Sequence, residues 1–99
     1  MTIAIDIDGT WTKDPSLWIY FYDKAVSSGH EVIIVTARNP TDVKDLERFR
    51  IPESAPKIFT AGEPKKKFCL NLGVEVNIWI DDTPSSIEGG LIINENKNL

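Results

Sequence analysis

The sequence predicts an α/β sandwich built on a parallel sheet of four to five strands. Two observations carry this prediction: apolar, β-branched runs alternate with helical segments along the chain, and each run is nearly continuous. Continuous apolar strands are typical of a parallel sheet whose two faces are covered by helices. Because 99 residues suffice for one small core, residues 1–99 are expected to form a single domain.

The first strand and the first helix have clear boundary signals. Residues 2–7 (TIAIDI) form an apolar run that predicts a buried strand. Asp14 is suited to cap a helix and Pro15 to occupy its first position. The helix is expected over residues 16–28, and Gly29 is a natural stop.

The middle of the chain repeats the order of strand and helix. Residues 31–35 (EVIIV) predict the second strand. Asn39 and Pro40 repeat the cap-then-proline signal, and Asp42 suits the positive end of a helix. A helix is therefore expected here, with apolar residues at helical spacing: Val43, Leu46 and Phe49.

The last third of the chain continues the pattern. Residues 57–60 (KIFT) predict a third strand, and a third helix is expected between the breakers of residues 64–73. Residues 75–80 (EVNIWI) predict a fourth strand, followed by a short helical turn over residues 83–88. Residues 91–93 (LII) predict a short edge strand.

Composition excludes several classes of function. Fifteen acidic and eleven basic residues give a net charge of −4, which argues against a general polynucleotide-binding surface and leaves a local basic patch open. The single cysteine, Cys69, forms no internal disulfide, so a reduced, cytoplasmic setting is expected. No apolar stretch approaches the roughly 20 residues of a membrane span, and no signal peptide is expected.

Polar residues follow the predicted strands, at the edge where a parallel sheet binds ligands. The carboxyl ends of parallel strands meet at one edge, so these side chains are expected to converge there. The third helix begins beside this edge with three lysines. The residues concerned are Asp6, Asp8, Thr36, Ala37, Arg38, Thr60, Lys65, Lys66, Lys67, Asp81 and Asp82.

The acidic pair of the first strand implies a bound cation. On an extended strand Asp6 and Asp8 point to the same side, with Cα atoms about 6.6 Å apart. Two charges at about 6 Å repel by roughly 3 kcal/mol at an effective dielectric of 20, and Asp81 adds to this. Mg²⁺, which prefers oxygen ligands and substrate phosphate, would relieve the repulsion. Gly9 permits close backbone approach just after the acids.

Ordinary structural roles compete with functional ones at several positions. Helix capping accounts for Asp14, Asp42 and Glu63, and Thr60 fits a strand end. The lysines could be a solvated helix start, although the helix dipole disfavours cations there. Two aromatic residues and one arginine near the site have two interpretations each. Trp11 and Trp18 could stack on a nucleobase or pack in the core, and Arg38 could contact a second phosphate or form a surface ion pair.

With Asp6-Ile7-Asp8-Gly9-Thr10, Thr36, a helix-opening lysine and Asp81-Asp82 in this order, the chain resembles phosphatases of the haloacid dehalogenase (HAD) superfamily. The resemblance spans residues 2–88. It implies a three-layer, Rossmann-like sandwich with the first strand central. It also implies Mg²⁺ dependence and an aspartyl-phosphate intermediate.

The resemblance assigns a role to each motif. It makes Asp6 the nucleophile and a metal ligand. It makes Asp8 the group that protonates the leaving oxygen and then activates water, with its backbone carbonyl on Mg²⁺. Asp81 would complete the metal ligands, Asp82 would bind directly or through water or orient other groups, and Thr36 would hydrogen-bond the transferring phosphoryl group.

The active-site lysine and the substrate contacts are less sharply defined. Helical spacing places Lys65 on the core face of its helix with Lys66 as second choice, and the lysine would stabilise charge on the phosphoryl oxygens. The residues expected to contact the substrate are Gly9, Thr10, Ala37, Arg38 and Lys66.

The chain departs from the superfamily pattern in its short connections. Trp11 stands where a smaller aliphatic residue is more usual, and neither insertion point has room for a cap domain. Uncapped members tend to act on large or exposed substrates, or to gain a lid by forming oligomers. The expected partner is therefore a phosphorylated small molecule or an exposed phosphate on a larger substrate, with a homo-oligomer as a further expectation.

The leading hypothesis is a Mg²⁺-dependent phosphomonoester hydrolase, acting on nucleotides or nucleic-acid end phosphates among other candidates. The alternative is a non-catalytic module that retains the metal site and binds a phospho-ligand or a protein. A phospho-signalling receiver fits less well, because it needs an aspartate at the end of the third strand, where this chain reads KIFT.

Overall fold

Four parallel strands form one sheet in a computed structural model of the chain, which describes residues 1–88. The strands are β1 (Thr2–Ile5), β2 (Glu31–Thr36), β3 (Lys57–Phe59) and β4 (Ile78–Ile80). Their order is β3-β2-β1-β4, so the first strand lies inside the sheet. The predicted α/β class with a parallel sheet is confirmed. The strand predicted at residues 91–93 lies outside the described residues.

Three α-helices lie within residues 1–88. Helix α1 (Pro15–Ser27) connects β1 to β2, α2 (Lys65–Asn71) connects β3 to β4, and α3 (Ser85–Glu88) follows β4. Asp14 caps α1 as its sequence position predicts, since its Oδ1 accepts a hydrogen bond from the Leu17 amide at 3.2 Å. None of the helices within residues 1–88 combines the length and the apolar character that crossing a membrane requires.

Helices cover both faces of the sheet, which explains why the strands are continuously apolar. Successive residues of a strand point to opposite faces. On one face, the strands pack against Trp11 and α1. The strand residues are Ile3, Ile5, Val32 and Ile34, and the α1 residues are Tyr22 and Ala25. On the other face, they pack against Cys69 of α2, through Ala4, Ile33 and Val35. The three layers place the helix starts at the carboxyl edge of the sheet.

The helix predicted after Asn39-Pro40 does not form. Only a short 3-10 helix, Leu46–Phe49, is present. The Asp42 carbonyl, which would accept the Leu46 amide in an α-helix, accepts a hydrogen bond from Arg38 Nη1 at 3.1 Å. The Leu46 amide instead bonds to the carbonyl of Val43 at 3.1 Å, the spacing of a 3-10 helix. A hydrogen bond from the side chain of Arg38, only four residues before Asp42, thus takes the place of the helical hydrogen bond.

Three predicted strands are shorter than expected. β3 ends at Phe59 rather than at residue 60. β4 begins at Ile78 rather than at residue 75. β1 ends at Ile5 and not at residue 7, because the chain turns after Asp6, whose carbonyl accepts the Trp11 amide at 3.2 Å. Asp8 therefore does not continue the strand, and the prediction that Asp6 and Asp8 lie on one extended strand is wrong. The Asp6 side chain is 8% exposed and that of Asp8 is 55% exposed.

The suggestion that Trp11 stacks on a nucleobase is also wrong. Its side chain is fully buried, and its Nε1 donates to the carbonyl of Phe49 at 2.9 Å. Trp18 is half-buried, donates from Nε1 to the carbonyl of Thr10 at 3.0 Å and packs edge-to-face with Phe21. Both indoles therefore serve the fold around the first turn.

Candidate active site

A cavity of about 200 Å³ opens at the carboxyl edge of the sheet. It lies where the segments that follow β1, β2 and β4 meet the start of α2. A larger hollow of about 430 Å³ lies near Leu46 and Lys57, but its lining combines no comparable set of chemical groups. The smaller cavity is lined by Asp6, Asp8, Ala37, Lys65, Asp81, Thr83 and Ser86.

A buried lysine bridges two of the acids. The Nζ of Lys65 lies 2.8 Å from Oδ1 of Asp6 and 2.6 Å from Oδ2 of Asp81. The lysine and Asp81 side chains are each only 2% exposed. Buried charges require partners of opposite sign, and here the ammonium and the two carboxylates partner one another.

The structure brings only one of the three consecutive lysines to the cavity. Lys65 begins α2 and turns its side chain into the site. Lys66 is half-exposed and pairs with Glu88 at 3.2 Å, away from the acids. Lys67 is exposed. The expected substrate contact of Lys66 therefore has no support in this arrangement, whereas Lys65 occupies the position that helical spacing predicts.

The third acid, Asp82, is held beside Gly9 and Thr10. The Thr10 hydroxyl lies 3.2 Å from Oδ2 of Asp6 and 3.1 Å from Oδ1 of Asp82, and it accepts the Asp82 amide at 3.1 Å. Gly9 has φ +87°, and a Cβ atom there would lie 2.2 Å from Oδ2 of Asp82. Both residues, expected as substrate contacts, here position Asp82 against Asp6.

The donor set at this point fits a hard divalent cation. Asp6, Asp81 and Asp82 each offer a carboxylate oxygen, and these oxygens lie within 4.8 Å of one another. Three carboxylates against the one ammonium of Lys65 leave two negative charges uncompensated. All-oxygen donors with this excess charge suit Mg²⁺. The carboxylate of Asp8 lies outside the cluster, so any metal contact of Asp8 is left to its backbone carbonyl.

The electrostatics of the pair formed by Asp6 and Asp82 are unequal. Burial raises the pKa of Asp6 to about 6, although its hydrogen bond to Lys65 opposes the shift. A hydrogen bond shared with Asp6 lowers the pKa of Asp82. Without a cation, the proton that the cluster takes up below about pH 6 is therefore favoured on Asp6 rather than on Asp82.

Asp8 is bound on the rim of the cavity by Arg38. The Nε and Nη2 atoms of Arg38 lie 2.8 and 2.7 Å from the two oxygens of Asp8. This hydrogen bonding lowers the pKa of Asp8 and raises that of Arg38. Of the two interpretations of Arg38 that the sequence left open, the structure shows the ion pair.

The end of β2 supplies two further residues. Thr36 is fully buried, and its Oγ1 accepts the Arg38 amide at 3.2 Å. Ala37 lines the cavity with an exposed backbone. Thr36 thus supports the turn that presents Ala37 and aims Arg38 towards Asp8.

Three residues of the site were missed by sequence reasoning. The Thr83 amide donates to Oδ1 of Asp81 at 2.9 Å, and the Ser86 hydroxyl lies 3.2 Å from Oδ2 of the same carboxylate. Asp45 binds the far side of Arg38. The polar start of the short helix after Asp81 was a usable signal for Thr83 and Ser86, whereas Asp45 was hidden by the incorrect helix prediction.

Comparison of the chain with models of protein families, with curated proteins and with solved structures finds no match.

Proposed function

We propose that the protein is a Mg²⁺-dependent phosphomonoester hydrolase that works through an aspartyl-phosphate on Asp6, in a small, uncapped, Rossmann-like domain. The observation that carries the proposal is the buried ammonium of Lys65 between Asp6 and Asp81, with Asp82 beside them. A carboxylate nucleophile needs positive charge nearby to receive a phosphoryl dianion, and Lys65 together with a Mg²⁺ ion bound to the three acids would provide it.

The proposed reaction has two steps. A carboxylate oxygen of Asp6 forms a bond to phosphorus while the bond to the leaving oxygen breaks, and Asp8 gives that oxygen a proton. In the second step Asp8 takes a proton from water, the water oxygen bonds to phosphorus, and Asp6 is released with inorganic phosphate. Lys65 stabilises the negative charge on Asp6 and on the phosphoryl oxygens throughout. Mg²⁺, when held by Asp6, Asp81 and Asp82, would neutralise charge on the phosphoryl group.

The small volume of the cavity supports a substrate that is bound mainly through its phosphate. A volume of about 200 Å³ is below the roughly 300 Å³ at which pockets for whole small molecules begin. The remainder of the substrate would lie outside the cavity. A small phosphorylated molecule and a phosphate exposed on a larger one both satisfy this condition.

The test is phosphate release from a generic aryl phosphate, with and without Mg²⁺. We expect Asp6→Asn to lower kcat by at least about 10³-fold, because the amide is not a nucleophile. Asp14→Asn is the matched control: it makes the same change at a helix cap, where asparagine serves as well as aspartate. Activity that survives unchanged in Asp6→Asn would exclude the mechanism.

One observation favours a second candidate, a non-catalytic module that binds a phosphorylated ligand through the same metal site. The carboxylate of Asp8 is held by Arg38, which lowers its pKa and so favours its ionised form over the protonated form that a proton donor needs. Mg²⁺-dependent binding of phosphorylated ligands, with no turnover in a broad substrate screen, would support this candidate. Turnover would exclude it.

A further inference from the structure

We propose that Arg38 is a positioning residue that fixes the carboxylate of Asp8 at the rim of the cavity, and that Asp45 in turn fixes Arg38. The inference rests on the proposed phosphatase function, in which Asp8 transfers protons. It gives Arg38 a role distinct from the second-phosphate contact that its position after Thr36 also permits.

First, the ion pair between Arg38 and Asp8 is a two-point contact. Arg38 presents two N–H groups side by side to the two oxygens of Asp8, at 2.8 and 2.7 Å. A two-point contact of this kind sets the orientation of a carboxylate as well as its distance. The Asp8 side chain is 55% exposed, so the contact with Arg38 is what limits its rotation.

Second, every N–H group of the Arg38 guanidinium is already bonded within the protein, so none is free for a substrate. Its Nη1 donates to Oδ1 of Asp45 at 2.6 Å and to the carbonyl of Asp42 at 3.1 Å, and its Nη2 donates to Oδ2 of Asp45 at 3.1 Å. Together with the two bonds to Asp8, these contacts use all five N–H groups of the guanidinium. A phosphate oxygen could bind only by displacing one of these partners.

Third, the residues around Arg38 hold its side chain in place. Only 12% of the Arg38 side chain is exposed, and its backbone amide is bonded to Thr36. The loop of residues 39–45 supplies both the Asp42 carbonyl and the Asp45 carboxylate, and it does not form an α-helix. The loop, Asp45, Arg38 and Asp8 thus form a continuous chain of contacts that ends at a group of the proposed reaction.

The experiment compares kcat/KM for two esters in Arg38→Met. An alkyl phosphate needs a proton on its leaving oxygen, whereas a dinitrophenyl phosphate has a stable anionic leaving group. If Arg38 positions Asp8, kcat/KM should fall by about 10²-fold for the alkyl ester and by less than about 3-fold for the dinitrophenyl ester. With the latter ester kcat should fall, because activation of water also uses Asp8. A burst of about one dinitrophenolate per enzyme should then precede the slow phase.

Two further variants sharpen the test. Asp45→Asn keeps Arg38 but weakens the contact that holds it. It should therefore give the same selectivity between the two esters with a smaller loss of kcat/KM. It also replaces Arg38→Met as the test if that variant does not fold. Arg48→Met is the control, because Arg48 lies in the neighbouring 3-10 helix and stacks on Phe49. It should leave both esters unaffected.

The other outcomes are distinguishable. Equal losses on both esters in folded Arg38→Met and Asp45→Asn, or no loss in either variant, would overturn the positioning role and leave the phosphatase function intact. Wild-type protein that hydrolyses neither ester would overturn the proposed function, and this inference with it.

Discussion

At the scale of single residues, Gly9 shows how one missing side chain shapes the acidic cluster. Its φ of +87° is costly for other residues, and a Cβ atom would overlap the carboxylate of Asp82. Gly62 has nearly the same φ, +86°, but an added Cβ would meet no atom within 4 Å. The two glycines therefore share a backbone requirement, and only Gly9 adds a steric one.

We expect Gly9→Ala to impair Mg²⁺ binding and Gly62→Ala to leave it unchanged. Both should lose roughly 1 kcal/mol of stability to the left-handed backbone, and Gly9→Ala should lose more because Asp82 must move. Displacement of Asp82 should weaken Mg²⁺ affinity by about tenfold or more, as measured by calorimetric titration. Equal affinities in the two variants would show that Asp82 does not contribute to the metal site.

At the scale of elements, the sequence predicts order and type better than extent. Apolar runs that alternate with helix signals identified all four described strands, because a strand buried on both faces is nearly continuously apolar. The segment after Asn39-Pro40 was mispredicted, because its cap, its proline and its apolar spacing are all local signals. The side chain of Arg38 bonds to the Asp42 carbonyl and to Asp45, and this nearby competitor is not visible in the capping and spacing signals.

The same distinction applies to the candidate site. The topology of a parallel sheet was enough to predict that Asp6, Lys65 and Asp81 converge, and helical spacing was enough to separate Lys65 from its neighbours. The direction of Asp8 could not be predicted, because it depends on the turn after β1. That turn is stabilised by backbone hydrogen bonds and by the burial of Trp11.

The ends of β2 and β3 allow a matched comparison of two buried threonines. Thr36 and Thr60 are both fully buried, and the Thr60 amide bonds to the Thr36 carbonyl at 2.9 Å. The hydroxyl of Thr36 accepts the Arg38 amide, whereas that of Thr60 has no hydrogen-bond partner among residues 1–88. An unpaired buried hydroxyl costs free energy, and a paired one does not.

Thr60→Val is therefore expected to raise the free energy of unfolding by about 1 kcal/mol, and Thr36→Val to lower it by about 1 kcal/mol. Urea denaturation of the two variants measures both changes. Shifts of the same sign would show that the hydroxyl groups have equivalent surroundings.

At the scale of the whole molecule, the acids divide into two sets with opposite effects on stability. Arg38 lowers the pKa of Asp8 and of Asp45, so their contribution to stability is present above their usual pKa and is lost as the pH falls through the lowered pKa of the folded state. Burial raises the pKa of Asp6 from 3.8 to about 6. Its ionisation therefore destabilises the metal-free fold as the pH rises through about 6, by at most about 3 kcal/mol.

These signs predict how Mg²⁺ and pH jointly affect thermal stability. In EDTA, the Tm of the wild type should fall by several degrees between about pH 5 and about pH 7.5, because Asp6 loses its proton over that interval. Millimolar MgCl₂ should remove or reverse the fall, since the cation binds the ionised carboxylates of the folded state and stabilises it by about 2.7 kcal/mol at a hundredfold excess over Kd.

Differential scanning fluorimetry at the two pH values measures this coupling, with NaCl at matched ionic strength as the control for screening. Asp6→Asn should flatten the profile in EDTA and reduce the response to Mg²⁺, because it removes both the titrating group and a ligand. A Tm that rises with pH in EDTA would contradict the assignment of Asp6 as the buried acid with the raised pKa. A Tm that Mg²⁺ leaves unchanged at the higher pH would contradict the metal site formed by Asp6, Asp81 and Asp82.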